Sequence, residues 1–324
     1  MTPHDRPFRF GLLSSAGTAE EWQADVARAE GGGYSTVVLT DHLDLSGAHV
    51  TRLAWVPAFA DALARTTTVA TSVMVANQDL RHPAVLARDV VTLDRLSAGR
   101  MELGLGAGWA ANEYAWAGLP FDDAPVRVRR LAEYAAVVRG LTTAAAAAVG
   151  DVVQTFDFTG EFFTISSMPV DPLPVRGRLP LMLGGSRPGV LSLAARVADV
   201  VNLNTLRDDG PADDVLAEKV AWVRDAAGDR YGELELATSV ALVAGGSGSP
   251  AEAVSAALAR DPFARRVTTR MPVEAAAGAA FTLAGTTENM IETLLARRER
   301  HGISYAVVPA HAADVMAPVI DRLS

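Results

Sequence analysis

The sequence predicts an α/β fold closed into a (β/α)8 barrel, and three observations predict it. Strand-like and helix-like patterns alternate along most of the 324 residues. The strand-like runs are apolar at successive positions, as in parallel strands buried on both faces. About eight such runs occur, most followed by a helix, and polar or glycine residues gather where they end. A doubly wound open sheet is the alternative. The glycine-rich segments at 104–108 and 184–185 do not spell G-x-G-x-x-G in a first βα turn, which weakens a dinucleotide-binding reading.

The first strand is "FRFGLLS" (8–14). Thr18 and Glu21 then form a T-x-x-E capping box for a helix that places Trp22, Val26 and Ala29 on one face and stops at the glycines 31–33. "STVVL" (35–39) is the second strand, 53–65 a helix and "TVATSVMVA" (68–76) the third strand. Pro83 opens a helix with Leu86, Val90 and Leu93 on one face. "MELGLGAG" (101–108) is the fourth strand, and Val128, Leu131, Ala135 and Val138 mark the next helix. The alternation then breaks. An insertion at about 143–179 holds an alanine-rich tract (143–149), a β-hairpin (152–167) turning at Thr159-Gly160, and a proline-rich loop. Strands at 179–185 and 198–204 follow, with a helix at 188–197 between them. A helix at 212–227 and a strand at 234–243 come next. Residues 246–284 suggest helices and a loop; 286–302 is a helix, 303–309 a strand and 312–323 a final helix. The whole reads as one barrel domain.

Totals narrow the function. Net charge is −9, basic residues are scattered, and no nucleic-acid footprint is visible. No apolar run is long enough to span a membrane, and "MTPHDRPF" lacks the apolar core of a secretory signal. The chain has no cysteine, which excludes disulfides, thiolate metal sites and a cysteine nucleophile, and suits a cytoplasmic protein. The six histidines show no H-x-H or H-x-x-x-H spacing, so no metal is expected.

In a barrel of this type the chemistry lies at the carboxyl ends of the strands. There the chain places Asp41 and His42, the segment Ser72-Val73-Met74, Gly108-Trp109 with Asn112 and Glu113, then Gly184-Gly185-Ser186, and Asn202 with Asn204. Each has a plain structural reading. Asp41 can cap a turn, His42 can be a satisfied structural histidine, and the glycines can serve packing. N-capping explains Asn112 or Glu113. Together they suggest a ligand at one rim.

"TDHL" (40–43), "RHPAVLARDVVTLDRLSAGRMELGLGAGWAANEYAWAGLPF" (81–121) and "LPLMLGGSRPGVLSLAARVADVVN" (179–202) resemble the luciferase-like monooxygenase superfamily, and within it the coenzyme F420-dependent oxidoreductases. The resemblance covers roughly 8–205 and is weaker beyond. It implies a barrel of the bacterial luciferase type holding a deazaflavin or flavin in its mouth. A non-proline cis peptide near Ser72-Val73 would support the ring. Asp41, Met74, Gly108, Trp109 and Asn112 would line it, and Gly184, Gly185 and Ser186 would take the phosphate through backbone N–H groups. His42 matches a histidine beside the reacting centre of F420-dependent sugar-phosphate dehydrogenases. Those enzymes carry an acid just after the strand-four glycines, where this chain has Trp109-Ala110. The resemblance therefore implies an F420-dependent oxidoreductase acting on an apolar or aromatic substrate. The alternatives are an FMN-dependent monooxygenase fed by a separate flavin reductase, and a non-catalytic flavin-binding barrel. Relatives often pair, so a homodimer is expected, with helices 53–65 and 83–97 as candidate faces.

Overall fold

A computed structural model of the chain describes residues 3–43, 52–143, 154–206, 208, 210–261, 264–265, 268 and 271–324. His49 and most of the alanine-rich tract lie outside the described residues.

The chain begins with β1 (Arg9–Leu13), α1 (Ala19–Gly31) and β2 (Thr36–Leu39). Next come α2 (Trp55–Arg65), β3 (Ala70–Asn77), α3 (Pro83–Leu96) and β4 (Met101–Gly106). A short α4 (Ala111–Ala117) and the long α5 (Ala124–Leu141) lead to the antiparallel hairpin β5 (Thr155–Thr159) and β6 (Thr164–Pro169). The series resumes with β7 (Leu181–Gly185), α6 (Pro188–Val197), β8 (Val200–Leu203), α7 (Ala212–Ala227) and β9 (Glu235–Ser239). It then passes through β10 (Leu242–Gly245), α8 (Pro250–Arg260), α9 (Val273–Ala277) and β11 (Thr282–Gly285). The last elements are α10 (Thr287–His301), β12 (Ile303–Pro309) and α11 (Ala313–Leu323).

Eight strands close a barrel in the order β1-β2-β3-β4-β7-β8-β9-β12 and back to β1. Every neighbouring pair in it is parallel; Gly11 sits beside Thr36 on one side and Val307 on the other. The apolar runs form strands because a parallel sheet wrapped in helices meets no water on either face. Phe10, Leu12, Val37 and Leu103 face outward into the layer shared with the helices. Val38, Met74, Met182, Val200 and Val307 form a second cluster that fills the bore.

Local signals set the helix ends. The predicted capping box at Thr18 and Glu21 is formed, and α1 buries Trp22, Val26 and Ala29. Trp22 is fully enclosed, so truncating it to alanine costs about 3–5 kcal/mol. Pro83 starts α3, and Gly302 ends α10 in the left-handed conformation at φ 71°.

Two expectations need correction. The run read as one strand over 234–243 is broken at Val240-Ala241. β9 stays in the barrel, while β10 leaves it and pairs with β11. Residues 246–284 accordingly contain a strand as well as helices. Leu242, Ala244, Val254, Phe281 and Ala284 give this side sheet its own apolar cluster, and that burial stabilises a pairing too short to be read from sequence. No helix among the described residues is long and apolar enough to cross a membrane.

Candidate active site

The carboxyl ends of β2, β3 and β4 meet through side chains. Asp41 follows β2. Its carboxylate accepts the N–H of Asn77 at 3.1 Å and both oxygens accept from Arg81 Nη1, at 3.0 and 2.9 Å. The Asp41 side chain is almost wholly buried. Burial pushes its carboxyl above the ordinary carboxylate range, and the Arg81 guanidinium and the Asn77 N–H oppose that rise. Tyr114 donates its one hydroxyl proton to Asp79 at 2.6 Å, and its Oη lies 3.1 Å from Asn77 Oδ1.

His42 is the next residue. Its Nδ1 lies 2.9 Å from Glu113 Oε2, and Glu113 Oε1 accepts the backbone N–H of Leu43 at 2.7 Å. The imidazole and the Trp109 indole meet edge to face at a centroid distance of 5.5 Å with the planes 74° apart. Trp109 is 52% exposed, an unusual degree for an indole. Asn112 is exposed on α4. The capping explanation for Asn112 or Glu113 does not hold. The N-cap position belongs to Ala110, which makes no side-chain cap bond, and the third position puts Glu113 into the protein instead.

Around the bore, β3 departs from regular pairing. The register against β4 shifts between Val73 and Ala76, and the one non-proline cis peptide among the described residues is Met74–Val75. That corrects the expected position near Ser72-Val73 by two residues. Ser72 and Val73 still pair regularly, with Glu102 and Leu103, so the irregularity falls beyond them. The glycines of β4 make room for it. A Cβ at Gly104 would meet Val73 O at 2.1 Å, and one at Gly106 would meet Val75 Cγ2 at 2.3 Å. Gly184 also borders Val75, with a Cβ there 3.3 Å from Cγ1. Gly108 is required for a different reason: at φ 72° its Cβ would lie 1.9 Å from Tyr114 Oη.

Next to this wall, Gly184 and Gly185 end β7 and lead into α6. Its N-cap, Arg187, provides no side-chain cap. Ser186 O accepts from Lys219 Nζ at 2.7 Å, and that ammonium also lies 3.0 Å from Asp208 Oδ2. Asn202 and Ser239 face each other at 3.4 Å, and Ser239 Oγ approaches the Met74 sulfur at 3.9 Å across the bore.

The structure therefore joins His42, Glu113 and Trp109 in one cluster. It puts Met74, Gly184, Asn202 and Ser239 in another, and leaves Ser72 buried below with its hydroxyl unpartnered. Ser239, Arg81 and Lys219 do not stand out as site residues in the sequence, and Glu113 does so only as a residue that opens a helix at the rim. Their partners are 37 to 165 positions away for Ser239, 71 for Glu113 and 40 for Arg81, distances no local pattern spans. For Lys219 a helical lysine 1% exposed is itself unusual, but exposure is not written in the chain. Among the described residues no group of three or more His, Asp or Glu is placed to hold a metal ion.

Residues 7–305 match the family model of the luciferase-like monooxygenases. The chain belongs to this family. A luciferase-like relative, the F420-dependent glucose-6-phosphate dehydrogenase of Nakamurella multipartita, is 33% identical over 212 residues, covering 61% of this chain and 56% of that protein. The pyrimidine monooxygenase RutA of Agrobacterium fabrum is 32% identical over 141 residues, 41% of this chain and 36% of its own. The chain thus spans about half the length of the curated dehydrogenases it matches. Among solved structures, an F420-dependent secondary alcohol dehydrogenase in complex with an F420–acetone adduct superposes with a TM-score of 0.77 at 20% identity, covering 98% of this chain and 100% of that one. The EDTA monooxygenase of Chelativorans sp. BNC1 gives 0.77 at 17% identity, covering 98% and 94%. At such identities these two show a shared luciferase-like fold.

Proposed function

We propose that this luciferase-like chain is an oxidoreductase that binds coenzyme F420 in the barrel mouth and exchanges a hydride with a small apolar or aromatic substrate. The observation that carries the cofactor part is the pairing of a wall with a cradle. The break in register between Val73 and Ala76, lined by Gly104, Gly106 and Gly184, offers a surface on which a flat ring can rest. The Gly184-Gly185 turn leads into a helix with no side-chain cap, which leaves its N-terminus to a phosphate. These residues fit a phosphorylated tricyclic coenzyme without a basic patch.

Bound F420 would supply the hydride-exchanging carbon. The protein's part is to orient the substrate and handle the accompanying proton. His42 suits that task, since imidazole exchanges protons near neutral pH and this one is partly exposed at the rim. Trp109 would present an apolar shelf beside it. The identities to glucose-6-phosphate dehydrogenases support the F420 reading, while an indole at position 109 supports a substrate less polar than a sugar phosphate.

A second reading rests on the same cradle, which also suits FMN, a cofactor that ends at one phosphate. Monooxygenation with a partner flavin reductase would then follow. Titrating the purified protein with F420 and with FMN, and following fluorescence quenching, separates the two. Binding of F420 is expected; tight FMN binding with no F420 binding would overturn the proposal.

A further inference from the structure

His42 has two ring nitrogens, and the fold commits one of them. Nδ1 lies 2.9 Å from Glu113 Oε2 and 3.1 Å from Oε1. Oε1 also takes the Leu43 N–H, a group that can only donate. As a carboxylate, Glu113 meets the imidazole with acceptor oxygens only. Its side chain is 2% exposed, so water does not readily replace it.

We infer that Glu113 is the positioning residue of this site. It keeps the proton of neutral His42 on Nδ1, which leaves Nε2 as the atom that exchanges a proton with substrate. The inference rests on reading His42 as the proton-handling group. Glu113 does not touch reacting atoms. It acts through the imidazole, as the third member of a nucleophile–base–orienter set does. The neighbouring Asp41 carboxylate is taken by Arg81 and Asn77, and Trp109 brings an uncharged ring. Among the described residues, Glu113 is thus the carboxylate bonded to this ring.

The tautomer can be read directly. Nitrogen NMR on histidine-labelled protein, with the His42 signals assigned by their loss in His42→Ala, should find the neutral ring protonated on Nδ1. Glu113→Gln keeps the shape but inverts the pattern. Leu43 N–H claims the amide oxygen, the NH₂ then faces Nδ1, and the proton should move to Nε2. Glu113→Asp, which retains two acceptors, should keep the Nδ1 form and part of the turnover. With F420 and a substrate, Glu113→Gln should lower kcat about 100-fold with little change in cofactor affinity. Added to His42→Ala, it should cause no further loss. A wild-type ring protonated on Nε2, an unchanged tautomer in Glu113→Gln, or losses that multiply in the double variant would each overturn the inference. Because the tautomer is read without cofactor, a protein that uses neither F420 nor FMN would fail the functional reading alone, and the hold of Glu113 on the ring would still be measured.

Discussion

The two ends of the barrel both bury charge, and they use it differently. At the amino-terminal floor, Arg9 of β1 reaches across the bore to Glu102 of β4 and bonds Glu235 of β9 at 2.7 Å. None of these strands is adjacent in the barrel, so the three side chains tie its walls together from inside. Thr36 and Tyr305, also from non-adjacent strands, join beside them at 2.5 Å. At the mouth, the bonds of Asp41 and His42 run from the segment after β2 to Arg81, which follows β3, and to Glu113 of α4, which follows β4, and His42 keeps part of its surface open. The floor satisfies its charges within the fold. The mouth satisfies one side of each group and leaves the other for a ligand, which is the division expected of a barrel whose chemistry sits at one end.

The largest test acts on the floor. Arg9→Met leaves Glu102 and Glu235 facing each other without a cation. Burial already raises the Glu102 carboxyl above its ordinary range, and Glu235 adds to that rise. A loss of about 3–5 kcal/mol in urea unfolding is expected, with F420 affinity per folded molecule unchanged. A loss below about 1 kcal/mol would mean the floor charges are no tie at all. The complementary change at the mouth is His42→Ala. It should slow turnover about 10²–10⁴-fold while shifting the unfolding midpoint little. An unchanged rate would make His42 structural and dissolve the contrast between the two ends.

A smaller effect probes the cradle. At Gly184 a Cβ would lie 3.1 Å from Asn202 Nδ2 and 3.3 Å from Val75 Cγ1, so Gly184→Leu must push into the bore or displace the wall. F420 affinity should fall about tenfold or more, roughly 1.4 kcal/mol. Gly31→Leu is the control, since Gly31 closes α1 at the floor end of the barrel and a Cβ there meets nothing within 4 Å. Equal loss in both variants would place the phosphate elsewhere.

Most of the barrel is legible because burial on both faces writes itself into Val37–Leu39 of β2 and Val73–Ala76 of β3 as apolar runs without alternation. The run at 234–243 shows where that signal fails. An apolar stretch keeps the same character whether it stays in the barrel or turns at Val240 to join β11. The site divides similarly. Asp41 and His42 stand out as polar residues at the end of a buried strand. Glu113 looks like a helix-start residue until β2 and α4 are brought together. The β4 glycines are visible in sequence, but their use, making room for the irregularity at Met74–Val75, belongs to the neighbouring strand.

The smallest effect sharpens the comparison through its sign. Glu30, at the floor end of α1, accepts N–H bonds from Thr67, Thr68 and Val69 and hydroxyl bonds from Thr67 and Thr68. Burial pushes its carboxyl up, but these donors outweigh it and bring the pKa from 4.5 down to about 2. A depressed folded-state pKa contributes stability that is present above the unfolded value and lost as pH falls through about 2. Asp41 at the mouth is shifted the other way, so its share is present below the unfolded value and is lost as pH rises through the folded one. Glu30→Gln should therefore destabilise by about 1–2 kcal/mol near neutrality, with solvent screening keeping it below the full shift. The gap between variant and wild type should close on acidification from about pH 4.5 towards 2. Asp41→Asn should remove a slope of the opposite sign, one that begins at the ordinary carboxylate value and continues upward. Urea titrations at stepped pH measure both. A gap for Glu30→Gln that stays constant through the acid range would show that its five donors do not favour the ionised carboxylate, and the floor would lose that part of its distinction from the mouth.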